Sequence, residues 1–249
     1  TLELFGRLAF WQGDYEQARV FLEESIALSK IYWDCAKELA ITFSNKLYNL
    51  GLHKQIVNRI TEPWMTMKTV ISGTEWNNFY HLRNHKDAQP EFAALARAMY
   101  KAHIISTPME LESGEWHVPY VNTYRRDDNQ QLIYVDENGE ELTAEEARII
   151  SASCCAQVSY RKNDPGIDKA RAIFNQLINS TPAHASPVEH QATPMSSTNW
   201  EVDPEYWELG VTHVTTNADL WSGNLRGWVQ HRKLLDNEAV WGEIPYNQI

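Results

Sequence analysis

The hydrophobic pattern of the first sixty residues is helical. Apolar side chains recur at three- and four-residue spacing before Gly13 and again from Ala18 to Ile26, which predicts a helical hairpin ending near Lys30. A third helix is predicted over residues 32–50, with Gly51 as its C-terminal stop. Its predicted buried stripe consists of Ala36, Leu39, Ala40, Phe43, Leu47 and Leu50. A short helix over 53–60 is closed by Pro63.

Helices and short strands alternate over the rest of the chain. Helices are predicted over 74–82, 89–103, 143–158 and 167–179. Thr74 is the predicted cap of the first of these helices, and a capping box from Thr143 to Glu146 begins the helix over 143–158. Strands are predicted over 67–73, 131–135, 188–193 and within 224–235, and polar turns over 136–139 and 164–166. This order predicts an α+β fold that is helix-rich with a small, mostly antiparallel sheet.

Composition narrows the range of partners. The chain has 249 residues, is 43% hydrophobic and carries a formal charge of −11. That charge argues against nucleic acid or an anionic membrane as partner, so an anion site must be built locally from a few arginines. No apolar run reaches the roughly 20 residues of a membrane span. The three cysteines fit a reducing compartment, so a cytoplasmic location is expected.

Several common catalytic and metal-binding signatures are missing from the sequence. It has no glycine-rich phosphate loop, no Gly-x-Ser-x-Gly elbow, no His-Glu-x-x-His and no Cys-x-x-Cys. The nine histidines do not fall at metal-ligand spacing, so no metal site is predicted. The ten tryptophans and eleven tyrosines fit either core packing or stacking on a flat ligand, and composition alone does not choose.

Two constellations offer polar groups to a ligand. Gln55 and Arg59 are four residues apart, on one face of a predicted helix, and an arginine fork suits a phosphate or a uracil-like edge. The alternative is a surface arginine paired with Glu62. On the next predicted helix, Asn78 and Leu82 are four residues apart and Arg83 follows at the helix end. An amide and a guanidinium from one helix can read a planar ring and an anion together. The alternative there is a solvated helix end.

The predicted hairpin of residues 1–31 resembles a single tetratricopeptide repeat. The resemblance lies in the order Gly6, Gly13, Tyr15, Ala18 and Ser25, where small residues let paired helices approach closely. Repeat arrays need about three copies to bury their faces. One copy therefore either caps an array outside this chain or packs on the residues after it, and residues 1–31 are expected to form a unit separate from 32–249.

Four segments downstream resemble the flavin-dependent thymidylate synthases, in the diverged form found in phage-like genomes. They are Arg59 with Glu62-Pro63, the helix Asn78-Phe79-Tyr80-His81-Leu82-Arg83 followed by Ala88-Gln89-Pro90-Glu91, the segment Ala156-Gln157-Val158-Ser159-Tyr160, and the segment His184-Ala185-Ser186-Pro187-Val188-Glu189-His190. The last two follow the arginine segments here, whereas in the family they usually precede them.

The resemblance implies an enzyme that methylates dUMP to dTMP, with methylenetetrahydrofolate and NADPH as co-substrates and FAD as cofactor. It implies that Gln55, Arg59 and Arg83 bind dUMP, and that Arg83 polarises the uracil ring as the catalytic group. It assigns FAD to Asn78, Leu82, Ser159, His184, Ser186 and Glu189. It also implies that the protein is a homotetramer. The reaction it implies needs no cysteine nucleophile.

The sequence departs from the family pattern at its hallmark motif. Gln157 replaces a usual arginine, and no intact arginine-histidine-arginine motif exists. The nearest stretch runs from Gln230-His231-Arg232 to Asn237-Glu238 and is either a degenerate copy or a charged C-terminal strand. The alternative function is therefore a catalytically silent nucleotide- or flavin-binding or protein-interaction protein that retains the enzyme-like core. The chain begins with Thr1, which is expected of a fragment or a processed chain.

Overall fold

The computed structural model describes residues 15–158, 164–196 and 203–239, and these divide into two units. The first unit is Thr1–Met67 and the second is Lys68–Ile249. The predicted boundary between residues 31 and 32 lies inside a continuous helix of the first unit.

One long helix dominates the first unit. Helix α1 spans Tyr15–Asn49, and the chain then turns at Gly51, whose φ of +89° is in the region that favours glycine. Helix α2 spans Lys54–Val57 and is followed by 3-10 turns at Asn58–Ile60 and Glu62–Trp64. The ring of His53 caps α2, because its Nδ1 accepts the backbone N–H of Gln55 at 3.4 Å.

The prediction of separate second and third helices is wrong, because α1 runs through residues 31 and 32 without a break. No glycine or proline stands between Tyr15 and Asn49 to stop a helix. The first helix of the predicted hairpin lies outside the described residues. The predicted buried stripe is also largely wrong: Ala40 is buried, whereas Leu39, Phe43 and Leu50 are exposed.

The described part of the second unit holds four α-helices, which the sequence predicted with small shifts of their ends. They are α3 Asn77–Arg83, α4 Pro90–Ile105, α5 Ala144–Ala156 and α6 Ile167–Ile178. The predicted capping box of α5 is confirmed: Thr143 Oγ1 accepts the backbone N–H of Glu146, whose carboxylate accepts the backbone N–H of Thr143. Helix α3 begins three residues later than predicted, since Thr74 does not cap it.

Three small antiparallel sheets complete the second unit. The strands are β1 Asn122–Arg125, β2 Leu132–Val135, β3 Glu141–Leu142, β4 Ala192–Pro194, β5 His213–Val214, β6 Leu220–Ser222, β7 Leu225–Arg226 and β8 Trp228–Gln230. They pair in the orders β1-β2-β3, β4-β8 and β5-β6-β7. The described residues are thus helix-rich with small antiparallel sheets, which confirms the α+β class.

Two strand predictions need correction. Residues 67–73 are not a strand, because their polar groups bond to side chains of the second unit rather than to a neighbouring strand. The strand predicted over 188–193 begins only at Ala192, after a 3-10 turn at Ser186–Glu189. The sequence analysis missed β1, β3, β5 and β6, each four residues long or shorter.

The core of the second unit is built around α5, which packs against α6. Eight of its residues are buried. One side, with Ile149, Ile150 and Cys154, meets Ala170 of α6, and Ala152 packs with Ala185 and Val188.

In the described ranges, every helix is too short or too polar to cross a lipid bilayer.

Candidate functional site

A cleft of about 360 Å³ lies within the second unit. It is formed by four stretches of chain that are separated in sequence: the loop before α3, residues 108–117, the segment around β4, and the segment of β7 and β8. Its described lining contains no Asp, Glu, Lys or Arg, and consists of Ile71, Ser72, Gly73, Thr74, Trp76, Pro108, Met109, Leu111, His117, His190, Ala192, Leu225 and Trp228.

The loop of residues 72–76 is fixed by hydrogen bonds on both sides. Asn224 Nδ2 donates to the Ser72 carbonyl at 2.7 Å, and the backbone N–H of Arg226 donates to Thr74 Oγ1 at 2.9 Å. Within the loop, Trp76 Nε1 donates to the Gly73 carbonyl at 2.8 Å. This one wall of the cleft is therefore held in place although it belongs to no regular element.

Ser72 also contacts the opposite segment. Its Oγ lies 3.0 Å from His190 Nδ1, and the tautomer of the imidazole decides which of the two donates. Since 118 positions separate the two residues, this bond joins the loop before α3 to the segment before β4.

A second histidine lines the same cleft. The backbone of His117 pairs with Ala192 in both directions, at 2.7 and 3.2 Å, so the ring is anchored beside β4. Burial among protein atoms and then the nearby His190 lower the pKa of His117, although the residue as a whole is exposed. Burial also lowers the pKa of His190, against the opposing effect of Glu189. Both rings are therefore neutral at pH 7.

Gln230 connects the remaining segments behind the cleft. Its Nε2 donates to the Glu189 carbonyl and to Asn224 Oδ1, both at 3.0 Å. The Glu189 carboxylate in turn accepts Arg232 Nη1 at 2.9 Å. The loop before α3, residues 189–190 and residues 224–232 therefore form one hydrogen-bonded framework.

The site residues suggested for FAD are placed unevenly in this framework. Glu189 is part of it and half-buried, and His184 and Ser186 are exposed on the same segment. Asn78 and Leu82 are exposed on α3, outside the described lining of the cleft. Ser159 lies outside the described residues.

The three residues suggested for dUMP are all exposed. Arg83 has its guanidinium 6.0 Å from the centre of the Phe92 ring and makes no ion pair among the described residues. Gln55 and Arg59 lie in the first unit, where α2 ends at Val57 and Arg59 is in the 3-10 turn that follows. Within the described ranges, Arg59 and Glu62 do not pair.

The stretch that resembles the hallmark motif is used inside the protein. Arg232 Nε donates to Glu238 at 2.9 Å, in addition to its bond with Glu189, and Lys233 also donates to Glu238 at 2.7 Å. Asn237 Nδ2 donates to the Ile178 carbonyl at 2.8 Å. These groups fasten the C-terminal segment of the described chain. The strand predicted within 224–235 is confirmed as β8, but residues 231–234 form a 3-10 turn and do not continue it as a charged strand.

His231 is buried between two aromatic rings. Phe174 stacks nearly parallel to it and Trp116 meets it edge-on, with ring centres 6.1 and 5.6 Å away. Burial, and to a lesser degree the Arg148 cation, lower the pKa of His231 to about 4. Its Nδ1 has no partner among the described residues. His231 is therefore a neutral core residue.

Cys154 and Cys155 are buried in α5. Burial raises the pKa of Cys155 to about 12, so it remains a protonated thiol at neutral pH. Gln157, at the position where the resemblance leads one to expect an arginine, is buried too, and its Nε2 donates to the Asp164 carbonyl at 3.1 Å. This hydrogen bond links the end of α5 to Asp164.

The sequence analysis did not identify the residues that build the cleft. Ser72, His117 and Asn224 belong to no quoted motif, and Gln230 was quoted only as part of the hallmark-like stretch. Most of their contacts join residues that are distant in sequence. His190 ended a quoted segment, but nothing in the sequence distinguished it from His184.

No cluster of His, Cys, Asp and Glu in the described ranges is disposed to hold a metal ion. Comparison of the chain with models of known families, with curated proteins and with solved structures gave no match.

Proposed function

We propose that the chain is a flavoprotein of the thymidylate synthase type that methylates dUMP to dTMP. The proposal includes FAD as cofactor, methylenetetrahydrofolate and NADPH as co-substrates, and a homotetramer as the working assembly. It starts from the four sequence segments that resemble the flavin-dependent thymidylate synthases.

One observation carries the proposal: the quoted segment that ends at His190 is bonded to the loop that leads into the asparagine-aromatic helix. The bond between His190 and Ser72 is direct, and a second path of hydrogen bonds runs from Glu189 through Gln230 and Asn224 to the same loop. The end of one quoted segment and the loop before another are therefore joined in the fold. The cleft has two tryptophans and two neutral histidines in its walls, which suits a planar ring system.

FAD, when bound, would supply the hydride that reduces the transferred one-carbon unit. Glu189, His184, Ser186, Asn78 and Leu82 are the described residues proposed to hold it. Glu189 suits this role best, because Arg232 fixes its carboxylate and leaves one oxygen without a hydrogen bond among the described residues.

Arg83 of the second unit is proposed to bind dUMP, and the resemblance also assigns dUMP to Gln55 and Arg59, which lie in the first unit. Both arginines have guanidinium groups without an ion pair among the described residues, whereas Arg125, Arg171 and Arg226 are paired with carboxylates. In a chain of net charge −11, such free cations are where an anionic nucleotide is expected to bind.

The test of the proposal is flavin and nucleotide binding by the purified full chain. We expect flavin absorbance bands after incubation with FAD and gel filtration, and a weaker dUMP complex in Arg83→Ala by about 1.5–3 kcal/mol. Arg97→Ala is the control, since Arg97 is an exposed arginine without an ion pair in the described residues. Absence of bound flavin, with and without dUMP, would contradict the proposal.

A catalytically silent binding protein is the second candidate. It is favoured by the burial of His231 and by the hydrogen bonds of Arg232 and Asn237 to other parts of the protein, which engage the hallmark-like stretch internally. The two candidates differ in chemistry at the uracil ring. Release of tritium from carbon 5 of labelled dUMP supports the enzyme, whereas FAD binding without tritium release supports the silent protein.

A further inference from the structure

We propose that the cleft binds an uncharged planar aromatic ring, and that the imidazole of His190, oriented by Ser72, hydrogen-bonds to the edge of that ring. Neither residue was identified as part of a ligand site from the sequence. The inference rests on the proposed function for the presence of a flavin, but it concerns the chemistry of the cleft itself.

The walls of the cleft select for an uncharged ring. Trp76 and Trp228 supply aromatic surfaces, and Met109 and Leu225 supply apolar ones. Since no Asp, Glu, Lys or Arg is in the described lining, a charged group entering the cleft would lose its hydration without gaining a counter-charge. A volume of about 360 Å³ is at the lower end of ligand sites, which suits a ring system rather than a whole dinucleotide.

His190 supplies the directional contact. Its Nδ1 is engaged by Ser72 at 3.0 Å, while its Nε2 has no hydrogen-bond partner among the described residues. The bond to Ser72 fixes the ring orientation, so Nε2 meets a ligand from one defined direction and donates or accepts according to the tautomer. His117 is less suited to this role, because no side-chain hydrogen bond orients its ring in the described structure.

Ser72 is a positioning residue that is itself well supported. Asn224 Nδ2 binds its carbonyl, and Asn224 is held by Gln230, which is almost completely buried. A chain of hydrogen bonds thus runs from the interior of the protein to His190. Such support keeps a recognition group within the narrow geometry that a specific contact requires.

The experiment uses lumichrome at pH 7 as an uncharged three-ring probe, and its affinity for the full chain is measured by fluorescence. We expect Ser72→Ala and His190→Gln each to weaken binding by about 3- to 10-fold, the value of one hydrogen bond. Ser72→Thr keeps the hydroxyl and should restore the affinity, which a merely structural serine would not require. Ser113→Ala and His81→Gln change exposed residues of the same types and should leave affinity unchanged.

A measurement on the unsubstituted chain does not depend on how well the variants fold. Bound lumichrome should protect His190 from carbethoxylation by diethylpyrocarbonate, whereas exposed His81 should react at the same rate with and without the probe. No binding of lumichrome, equal affinity in all variants, or unprotected His190 would each overturn the inference. If the chain fails this test but binds FAD, the proposed function stands and the inference about the cleft falls. If it binds lumichrome in this way but does not bind FAD, the inference stands and the proposed function falls.

Discussion

Helices α1 and α5 are both rich in apolar residues, yet they differ sharply in burial. Helix α1 has 35 residues, of which Ala18, Ala40 and Ser44 are buried, whereas eight of the 13 residues of α5 are buried. Ile26 of α1 is 69% exposed, and Ile150 of α5 is 3% exposed. The same residue type thus contributes to stability according to its neighbours, and an apolar pattern alone predicts the helix but not its burial.

The largest expected effect compares these two isoleucines. Ile150→Ala should lower the free energy of unfolding by about 2–4 kcal/mol, because it leaves a cavity between α5 and α6. Ile26→Ala should change it by less than about 0.5 kcal/mol, because the side chain is mostly in water. Urea unfolding followed by circular dichroism measures both. Equal losses in the two variants would show that the Ile26 side chain is buried in solution.

The second prediction concerns pH, to which the buried region around His231 should be sensitive. The pKa of His231 is lowered to about 4 in the folded chain, whereas an unfolded histidine titrates near its ordinary 6.5, so the unfolded state binds more protons between these values. The folded state should therefore lose up to about 3 kcal/mol relative to the unfolded state as pH falls from 6.5 to 4.

His231→Phe isolates this contribution, because it keeps an aromatic ring between Trp116 and Phe174 but removes the titrating nitrogen atoms. Unfolding free energies of both proteins at pH 7 and pH 4 give the difference. His81→Phe, on the exposed part of α3, should behave like the unsubstituted chain. A His231→Phe variant with the same pH dependence as the unsubstituted chain would contradict the account.

A smaller effect is expected at the start of α5. Thr143→Ala removes the side-chain half of the capping box and should cost about 1 kcal/mol of unfolding free energy. Thr143→Ser keeps the hydroxyl and should cost much less. If serine and alanine prove equally destabilising, the methyl group rather than the hydrogen bond is what Thr143 contributes.

The smallest effect on stability is expected from substitution of the exposed cysteine, although the same substitution should strongly change how the folded chain reacts with a thiol reagent. Cys35 is exposed on α1, whereas Cys154 and Cys155 are buried in α5. A disulfide reagent should therefore label one thiol of the folded chain rapidly and the other two only after unfolding. Cys35→Ser should remove the rapid phase without measurable loss of stability. Rapid labelling of two or three thiols would contradict the burial of α5.

Local sequence signals predicted the elements that depend on local contacts. The capping box at Thr143, the turn at Gly139 and the helices α4 and α6 were placed correctly to within a few residues. The strand predicted over 67–73 was wrong, because its β-branched residues find no partner strand and the loop is held by side chains instead. Pairing partners are distant in sequence, so propensity alone does not reveal them.

The candidate site was the least predictable part of the molecule. The sequence indicated Glu189 through its segment, and the structure places this residue in a hydrogen-bonded framework. No pattern in the sequence indicated Ser72, whose position depends on its contacts with His190 and Asn224. The burial of His231 and the ion pairs of Arg232 likewise depend on how distant segments pack.

The most direct test of the account is hydrogen exchange of the full chain with and without FAD, read out by mass spectrometry of peptides. The account predicts that FAD slows exchange together in residues 71–76, 185–192 and 224–230, since these three segments form the walls of one cleft and the framework behind it. Saturating FAD that leaves exchange in all three segments unchanged would contradict it.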